Sequence, residues 1–194
     1  MKTVGILALQ GDFEAHRKAV ERAGGRAMEV RTAQELEACD GLIVPGGEST
    51  TMLKLLDMER LTGPLRQFGA RKPLFGTCAG AILLAHAVTN PVQPSLNLID
   101  IDVERNAYGR QIDSRVAHIH VQGDAVQSDA PGGGDMEAVF IRAPKIRRVG
   151  RESKVLATYE GDPVWVEQGR HMVTTFHPEL TEDTRVHRMF LEKL

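Results

Sequence analysis

Cys78 lies in the segment whose residue types and spacing most clearly indicate covalent chemistry. The run Gly76-Thr77-Cys78-Ala79-Gly80 has the G-x-nucleophile-x-G form of a sharp turn between a strand and a helix. Such a turn crowds the positions two before and two after the nucleophile, so glycine is needed there. Unpaired N–H groups at the start of the helix favour a thiolate over a thiol. The spacing therefore predicts a nucleophilic cysteine, although on this segment alone a small buried cysteine remains the alternative.

A possible base and its orienting group lie near the carboxyl terminus, in the run MVTTFHPEL. His177 directly follows β-branched residues that are typical of a strand, which places it at a strand end. Pro178 fixes the backbone there, and Glu179 is close enough to orient the imidazole through a hydrogen bond. Such an imidazole can take a thiol proton and return it to a leaving amine, a contribution of roughly 10²–10⁴ in rate. Without Cys78, a turn histidine beside a solvent-facing glutamate would be the simpler interpretation.

Acyl transfer also needs hydrogen-bond donors for the oxyanion of its tetrahedral intermediate. The backbone N–H of Ala79, next after the predicted nucleophile, is one candidate. The other is Gly47, in the run PGGES, because glycines let a backbone approach a substrate closely and allow a peptide to turn over. A simple loop before a capped helix explains the same glycine pair equally well.

The other cysteine and the other histidines are given no role. Cys39 ends a predicted helix and fits a buried structural cysteine. His118 and His120 share one face of a strand, but no Cys, Asp or Glu cluster supplies further ligands, so no metal site is predicted. The remaining histidines fall on predicted helices (His16, His86, His187) or in a turn (His171).

The elements that must position these residues alternate in the first half of the chain. VGILAL, a short run near Ala27–Val30, GLIVPGG and PLFG read as strands, of which the continuous apolar runs are buried on both faces. DFEAHRKAVERAG, TAQELEAC, TTMLKLLDMERL and AGAILLAHAV read as helices, with Ser49 or Thr50 capping the third. This order predicts an α/β fold with a doubly wound, mostly parallel, flavodoxin-like central sheet.

The second half of the chain predicts additional antiparallel strands. LIDIDVERN, SRVAHIHVQG, EAVFIRAP and KVLATYEGDPVWVEQGRHMVTTF are β-rich and are separated by turn signals. Residues Asp183–Leu194 close the chain as an amphipathic helix. The glycine-rich run Gln127–Met136 reads as a surface loop, because it lacks the lysine and the strand-to-helix context of a phosphate-binding loop.

Composition excludes several classes of function. The chain has 194 residues, which favours one domain over residues 1–194. Its 24 basic and 26 acidic residues are scattered and nearly balance, so we expect no nucleic-acid partner. No apolar run approaches 18 residues, so no membrane span is predicted. With two cysteines and no recognisable signal segment, a cytoplasmic location is expected, and no cofactor is indicated.

Long stretches of the chain resemble the triad-type, class I glutamine amidotransferases and, more narrowly, the glutaminase subunits of pyridoxal 5′-phosphate synthase. The similarity covers nearly the whole chain, and the strings that carry it are GILALQGDFEAH, DGLIVPGGESTTM, PLFGTCAGAILLA, VERNAYGRQIDS, VFIRAP and FHPELTEDTRVH. The cysteine elbow is common to many amidotransferases, whereas GGESTTM, VERNAYGRQ and FIRAP followed by FHPEL are the narrower signature.

This resemblance implies a set of site residues. It implies that Cys78 is the nucleophile, that His177 and Glu179 complete a triad, and that Gln10 lies near the oxyanion region and the partner interface. The residues that it implies for binding glutamine, whose carboxylate and ammonium suit an Arg and a carboxylate, are Gly47, Glu48, Ser49, Arg105, Ile141 and Arg142.

The resemblance also implies a reaction and a partner. The expected reaction is hydrolysis of L-glutamine to glutamate and ammonia through a glutamyl thioester. The expected partner is a (β/α)₈-barrel synthase subunit in a large double-ring complex, which joins the ammonia to a pentose phosphate and a triose phosphate. A glutaminase serving another synthase and a non-catalytic regulatory subunit of the same fold remain the alternatives.

Overall fold

A computed structural model describes residues 2–107, 114–122 and 134–194 of the chain. Strands and helices alternate in the first half: β1 (Thr3–Leu7), α1 (Phe13–Arg22), β2 (Arg26–Val30), α2 (Ala33–Glu37), β3 (Gly41–Val44), α3 (Ser49–Met58), α4 (Thr62–Arg71), β4 (Leu74–Thr77) and α5 (Ala79–Leu84). Strands dominate the second half: β5 (Ala85–Thr89), β6 (Ile99–Glu104), β7 (Ser114–Val121), β8 (Asp135–Ile141), β9 (Lys145–Val149), β10 (Lys154–Tyr159), β11 (Asp162–Gln168) and β12 (His171–Thr174), followed by a 3₁₀ turn (Pro178–Leu180) and α6 (Arg185–Glu192). No helix among the described residues is long and apolar enough to span a bilayer.

Nine of these strands form the central sheet, in the order β2-β1-β3-β4-β12-β11-β10-β7-β8. The five strands from β2 to β12 pair in parallel, and the rest pair antiparallel. A smaller sheet has the order β5-β6-β9. The predicted α/β class with antiparallel strands from the second half is therefore confirmed. Within the large sheet the parallel pairing is confined to one side, and in the smaller sheet β5 and β6 also pair in parallel.

Two hydrophobic clusters cover the two faces of the parallel strands. Neighbouring residues of a strand point to opposite faces, and in β3 Leu42 belongs to one cluster while Ile43 belongs to the other. Helices α3, α4 and α5 contribute to the first cluster, and α1 and α6 contribute to the second. The helices therefore lie on both faces, which is why the parallel strands read as continuous apolar runs.

The topology brings distant parts of the sequence to one edge of the sheet. Strand β4 lies between β3 and β12, and it pairs in parallel with both. Thr77, the last residue of β4, is in register with Thr174, the last residue of β12. Because parallel strands end at the same edge, the segments that follow β4 and β12 meet there, as expected for a ligand site in an open α/β sheet.

Two predicted helices have different bounds in the structure. The predicted helix AGAILLAHAV stops at Leu84, and Ala85–Thr89 form β5 against β6 instead, which puts His86 on a strand. Alanine favours a helix locally, but here strand pairing overrides that preference. The predicted helix TTMLKLLDMERL ends early, at Met58.

The cap of α3 was also predicted wrongly. It is neither Ser49 nor Thr50 but Glu48, whose carboxylate accepts hydrogen bonds from the backbone N–H groups of Thr50 and Thr51. The longer glutamate side chain folds back over the first turn, so the helix begins one residue after it.

Several other elements escape sequence reasoning. Helix α4 was not predicted, because Gly63 and Pro64 resemble breakers; both lie in its first turn, where proline costs no hydrogen bond. Strand β9 was also not predicted, and His171 begins β12 rather than lying in a turn. Asp135 and Met136 of the predicted surface loop belong to β8. The rest of that loop up to residue 133, and residues 108–113 of the family-like segment VERNAYGRQIDS, lie outside the described residues.

Candidate active site

Cys78 occupies a strained turn between β4 and α5. Its backbone has φ 49° and ψ −104°, a conformation that costs a non-glycine residue energy and is common at functional sites. Its N–H donates to Thr174 O at 2.8 Å, which fastens the turn to the neighbouring strand. A Cβ on Gly80 would overlap the carbonyl oxygen of Val44, so the tight passage under the turn requires glycine. The predicted elbow geometry is present, and the strain makes it unlike an ordinary buried cysteine.

His177 lies where the chain leaves the end of β12. Its backbone N–H donates to Val139 O at 2.8 Å, and its ring is almost fully buried. Nδ1 is 2.7 Å from Oε1 of Glu179, which is buried in the 3₁₀ turn that follows. This short carboxylate–imidazole hydrogen bond leaves Nε2 as the nitrogen available to a reactant.

The environment stabilises the protonated ring of His177. Burial alone would lower the pKa of His177, but its interactions with the Cys78 sulfur and the Glu179 carboxylate raise that pKa to about 10. Contact with the Cys78 sulfur is the largest cause that raises this pKa, although the buried Nε2 makes no aligned hydrogen bond to a described residue. The Cys78 thiol donates instead to Ile141 O, at a distance of 3.8 Å.

Glu179 is suited to remain ionised beside this ring. Burial raises the pKa of Glu179, but contacts with His16 and His177 outweigh burial and leave it below the usual value. A second acidic group, Asp12, has its Oδ2 3.8 Å from Nδ1 of His177. Asp12, His177 and Glu179 offer ligand atoms within 4.8 Å of one another, so they could share a cation as well as a proton. The hydrogen bond between His177 and Glu179 favours a role in proton transfer over a role in binding a cation.

A pocket of about 370 Å³ opens above Cys78. It contains every site residue expected from the sequence except Glu179, which lies behind His177. The residues that line it are Gln10, Gly11, Asp12, Gly47, Glu48, Ser49, Cys78, Ala79, Ile82, Arg105, Asn106, Ile141, Arg142 and His177. Of these, Gly11, Asp12, Ile82 and Asn106 were not singled out from the sequence.

One wall of the pocket joins the start of α3 to the end of β6. Burial raises the pKa of Glu48, but hydrogen bonds from Thr51 and Thr50 lower it to about 2. Nη2 of Arg105 lies 3.4 Å from the Glu48 carboxylate and 3.2 Å from the Thr50 hydroxyl. The hydroxyl of the buried Ser49 donates to Gln93 Oε1 at 3.1 Å, so it is engaged within the protein. This wall offers a fixed carboxylate and a guanidinium side by side.

Another part of the pocket lining joins the loop after β1 to the loop after β3 and the start of α5. The Gly46 carbonyl accepts from the N–H of Asp12 at 3.1 Å, and Oε1 of Gln10 accepts from the N–H of Glu48 at 2.9 Å. These bonds fasten the loop after β1 to the loop after β3. The N–H of Ala79 belongs to the first turn of α5, where helical N–H groups have no partner within the helix. Gly47 and Ala79 both reach the pocket.

Comparison with protein families identifies the family of this chain. The model of the SNO glutamine amidotransferase family matches residues 6–194. The chain belongs to this family. Its curated relatives include two proteins named pyridoxal 5′-phosphate synthase subunit PdxT. The one from Solibacter usitatus is 59% identical over all of both chains. The one from Deinococcus radiodurans is 51% identical over 97% of this chain and 95% of its own.

Two solved structures share the fold. A crystal structure described as a glutamine amidotransferase is 47% identical, covers 98% of this chain and 97% of its own, and has a TM-score of 0.88. The structure of PurLQS from Thermotoga maritima contains a chain that is 14% identical with a TM-score of 0.76, over 98% of this chain and 97% of that chain. At that identity it shows a shared fold only.

Proposed function

We propose that this chain is the glutaminase subunit of a pyridoxal 5′-phosphate synthase, with Cys78, His177 and Glu179 as its catalytic triad. The observation that carries the proposal is the arrangement at the sheet edge: a cysteine in a strained turn shares a pocket with a histidine whose other nitrogen is held by a buried carboxylate. Membership of a glutamine amidotransferase family supplies the substrate class.

The first half-reaction releases ammonia. The Cys78 thiolate attacks the side-chain amide carbon of L-glutamine, and the carbonyl π electrons move onto oxygen. The N–H groups of Gly47 and Ala79 stabilise this oxyanion, a donor of this kind being worth about 10²–10³ in turnover. The His177 imidazolium gives its Nε2 proton to the amide nitrogen. The carbon–nitrogen bond breaks, and ammonia leaves a glutamyl thioester on the sulfur.

The second half-reaction restores the cysteine. Neutral His177 removes a proton from water as the water oxygen attacks the thioester carbonyl. The carbon–sulfur bond then breaks, glutamate leaves, and the thiolate is again paired with the imidazolium. Glu179 remains ionised throughout, keeping Nδ1 of His177 protonated and the ring oriented.

The pocket lining suits the two charged groups on the α-carbon of glutamine. Arg105 and Arg142 offer positive charge for the α-carboxylate, and Glu48 offers negative charge for the α-ammonium. Backbone groups at Ile141 and in the segment Gly47–Ser49 would bind the same α-carboxylate and α-ammonium without relying on further side chains.

The partner in this proposal is the barrel-shaped synthase subunit. The relatives named as synthase subunits support a partner of this kind, and the (β/α)₈ barrel and the double-ring assembly follow from the family resemblance. Gln10 lines the pocket and is a candidate interface residue. The two free, buried cysteines fit a reducing compartment, so we place the complex in the cytoplasm.

The test is glutamate release by the chain mixed with its synthase subunit. We expect glutamine-dependent glutamate formation and transfer of amide ¹⁵N into pyridoxal phosphate. A Cys78→Ala variant should bind the synthase but release no glutamate above background. Normal turnover by this variant would overturn the triad assignment. Turnover without ¹⁵N in pyridoxal phosphate would indicate a glutaminase for another synthase.

A further inference from the structure

Three buried polar residues lie behind the proposed triad and outside the pocket. They are His16 on α1, Thr77 at the end of β4 and His187 on α6, and we call them the buried histidine cluster. Each is at most 1% exposed, and none lines the pocket. Burying two histidines is costly unless their ring nitrogens find partners. The proposed reaction does not by itself require them.

The cluster touches the proposed triad through Glu179. Nε2 of His16 is 3.0 Å from Oγ1 of Thr77 and 3.3 Å from Oε2 of Glu179. Nδ1 of His16 is 3.1 Å from Nε2 of His187. Since Oε1 of Glu179 is taken by His177, a continuous series of contacts runs from His187 through His16 and Glu179 to His177.

The contacts select one arrangement of protons. Oε2 of Glu179 has no aligned hydrogen-bond partner among the described residues, and a buried carboxylate oxygen needs a donor. Nε2 of His16 lies 3.3 Å from this oxygen and 3.0 Å from Oγ1 of Thr77, so a proton on Nε2 would lie between Thr77 and Glu179. Nδ1 of His16 is then an acceptor, so His187 must donate from its own Nε2. In the reverse arrangement the proton of His187 would lie on Nδ1, which is buried and has no described partner. Two acceptors, Nε2 of His16 and Oε2 of Glu179, would then face each other.

The surroundings keep both cluster histidines neutral. Burial is the main cause of the lowered pKa of His16, assisted by the charge of His177 and opposed by Glu179 and Asp12. Burial also lowers the pKa of His187 to about 3, with His16 and Arg22 acting in the same direction and Glu179 opposing. Neutral rings donate without adding a second positive charge to the site.

Packing restricts the two rings to this arrangement. Phe75 stands edge-on to both, with ring centroids 6.1 Å from His16 and 5.9 Å from His187. The three residues come from β4, α1 and α6, so both rings are buried between elements that pack closely together.

We propose that His16 is a positioning residue for the triad: its Nε2–H holds the Glu179 carboxylate ionised and aimed at His177, and His187 fixes the tautomer that makes this possible. This inference rests on the proposed function. It extends the triad by one buried donor that touches neither substrate nor sulfur.

The test compares His16→Leu, which removes the donor, with His16→Gln, whose amide places an N–H near the Nε2 position. In the free chain, iodoacetamide alkylation of the Cys78 peptide is followed against pH. For His16→Leu we expect the pH of half-maximal alkylation to rise by about one unit, the effect of losing a hydrogen bond to a charged group. With the synthase, kcat should fall about tenfold or more and KM should stay unchanged. His16→Gln should recover most of both losses.

Two outcomes would contradict a positioning role for His16. A folded His16→Leu chain with the wild-type alkylation profile and kcat would overturn the inference, and so would equal impairment of both variants without a change in the pH profile. His118→Gln, at an exposed histidine, is the matched control and should behave as wild type.

A measurement on the unmodified chain covers the case in which His16→Leu fails to fold. In ¹⁵N spectra of the histidine rings at pH 7, His16 and His187 should both be neutral and protonated on Nε2. Protonation of His16 on Nδ1 would contradict the proposal. If wild type and synthase together release no glutamate, the proposed function fails, while the alkylation profile and the ring tautomers still judge the role of His16.

Discussion

At the scale of single residues, the site depends on a side chain held in a costly backbone conformation. Cys78 has a positive φ, and the structure maintains it through the hydrogen bond to Thr174 and the close passage of Gly80 beneath Val44. The sulfur is therefore presented at a fixed point above the sheet edge. Small displacements of the residues around it should affect reaction far more than folding.

Gly46 offers a direct test of this sensitivity. A Cβ at this position would lie 2.5 Å from Cε1 of His177, so the ring must move. We expect Gly46→Ala to lower glutamate release about 100-fold, because misplacing a reacting group by about 1 Å has that order of effect. Gly63→Ala, where a Cβ meets nothing within 4 Å, is the control and should keep wild-type turnover. Equal activity of the two variants would contradict the tight placement of His177.

At the scale of elements, the buried parallel strands were easier to predict than the pairing of β5 or the cap of helix α3. VGILAL and GLIVPGG read as buried strands because parallel strands covered on both faces are apolar throughout. By contrast, β5 is alanine-containing and locally helix-like, and only pairing with β6 makes it a strand. The Cys78 elbow and the His177–Glu179 pair are local and could be recognised. The His16–His187 contact joins residues 171 apart, so no local pattern reveals it.

Glu48 gives a prediction about helix α3. Its carboxylate caps the helix, so Glu48→Ala should lower the free energy of unfolding by about 1 kcal/mol at pH 7. The folded-state pKa of Glu48 is lowered to about 2, so this stabilisation is complete above pH 4.5 and declines as pH falls towards 2. Urea unfolding of both proteins at pH 7 and pH 3 measures the difference.

The exposed residue that follows α3 supplies the comparison for that experiment. Glu59→Ala should change the free energy of unfolding by less than about 0.5 kcal/mol at either pH. If Glu48→Ala is no more destabilising than Glu59→Ala, the capping interaction contributes nothing measurable.

At the scale of the whole molecule, the two faces of the sheet serve different purposes. One face is covered by the cluster formed with α3, α4 and α5, whereas the face covered by α1 and α6 also buries His16 and His187 against the proposed triad. Protonation of the buried histidines on this second face should therefore lower both the stability of the fold and the activity of the proposed triad.

The pH dependence of stability tests that coupling. The folded-state pKa of His187 is lowered to about 3 from an ordinary 6.5, so between these values the unfolded chain binds more protons. Its contribution is complete above pH 6.5 and declines as pH falls, by at most about 1.4 kcal/mol per pH unit. We expect His187→Gln to lose this decline in urea unfolding between pH 7 and pH 5. An unchanged slope would show that His187 is not held neutral.

The most direct measurement of the central claim is acid-quench mass spectrometry of the complex during glutamine turnover. The account predicts a glutamyl thioester on the Cys78 peptide, which forms with the synthase subunit present and is absent in the Cys78→Ala variant. Glutamate release with no adduct on Cys78, together with undiminished turnover by Cys78→Ala, would contradict it.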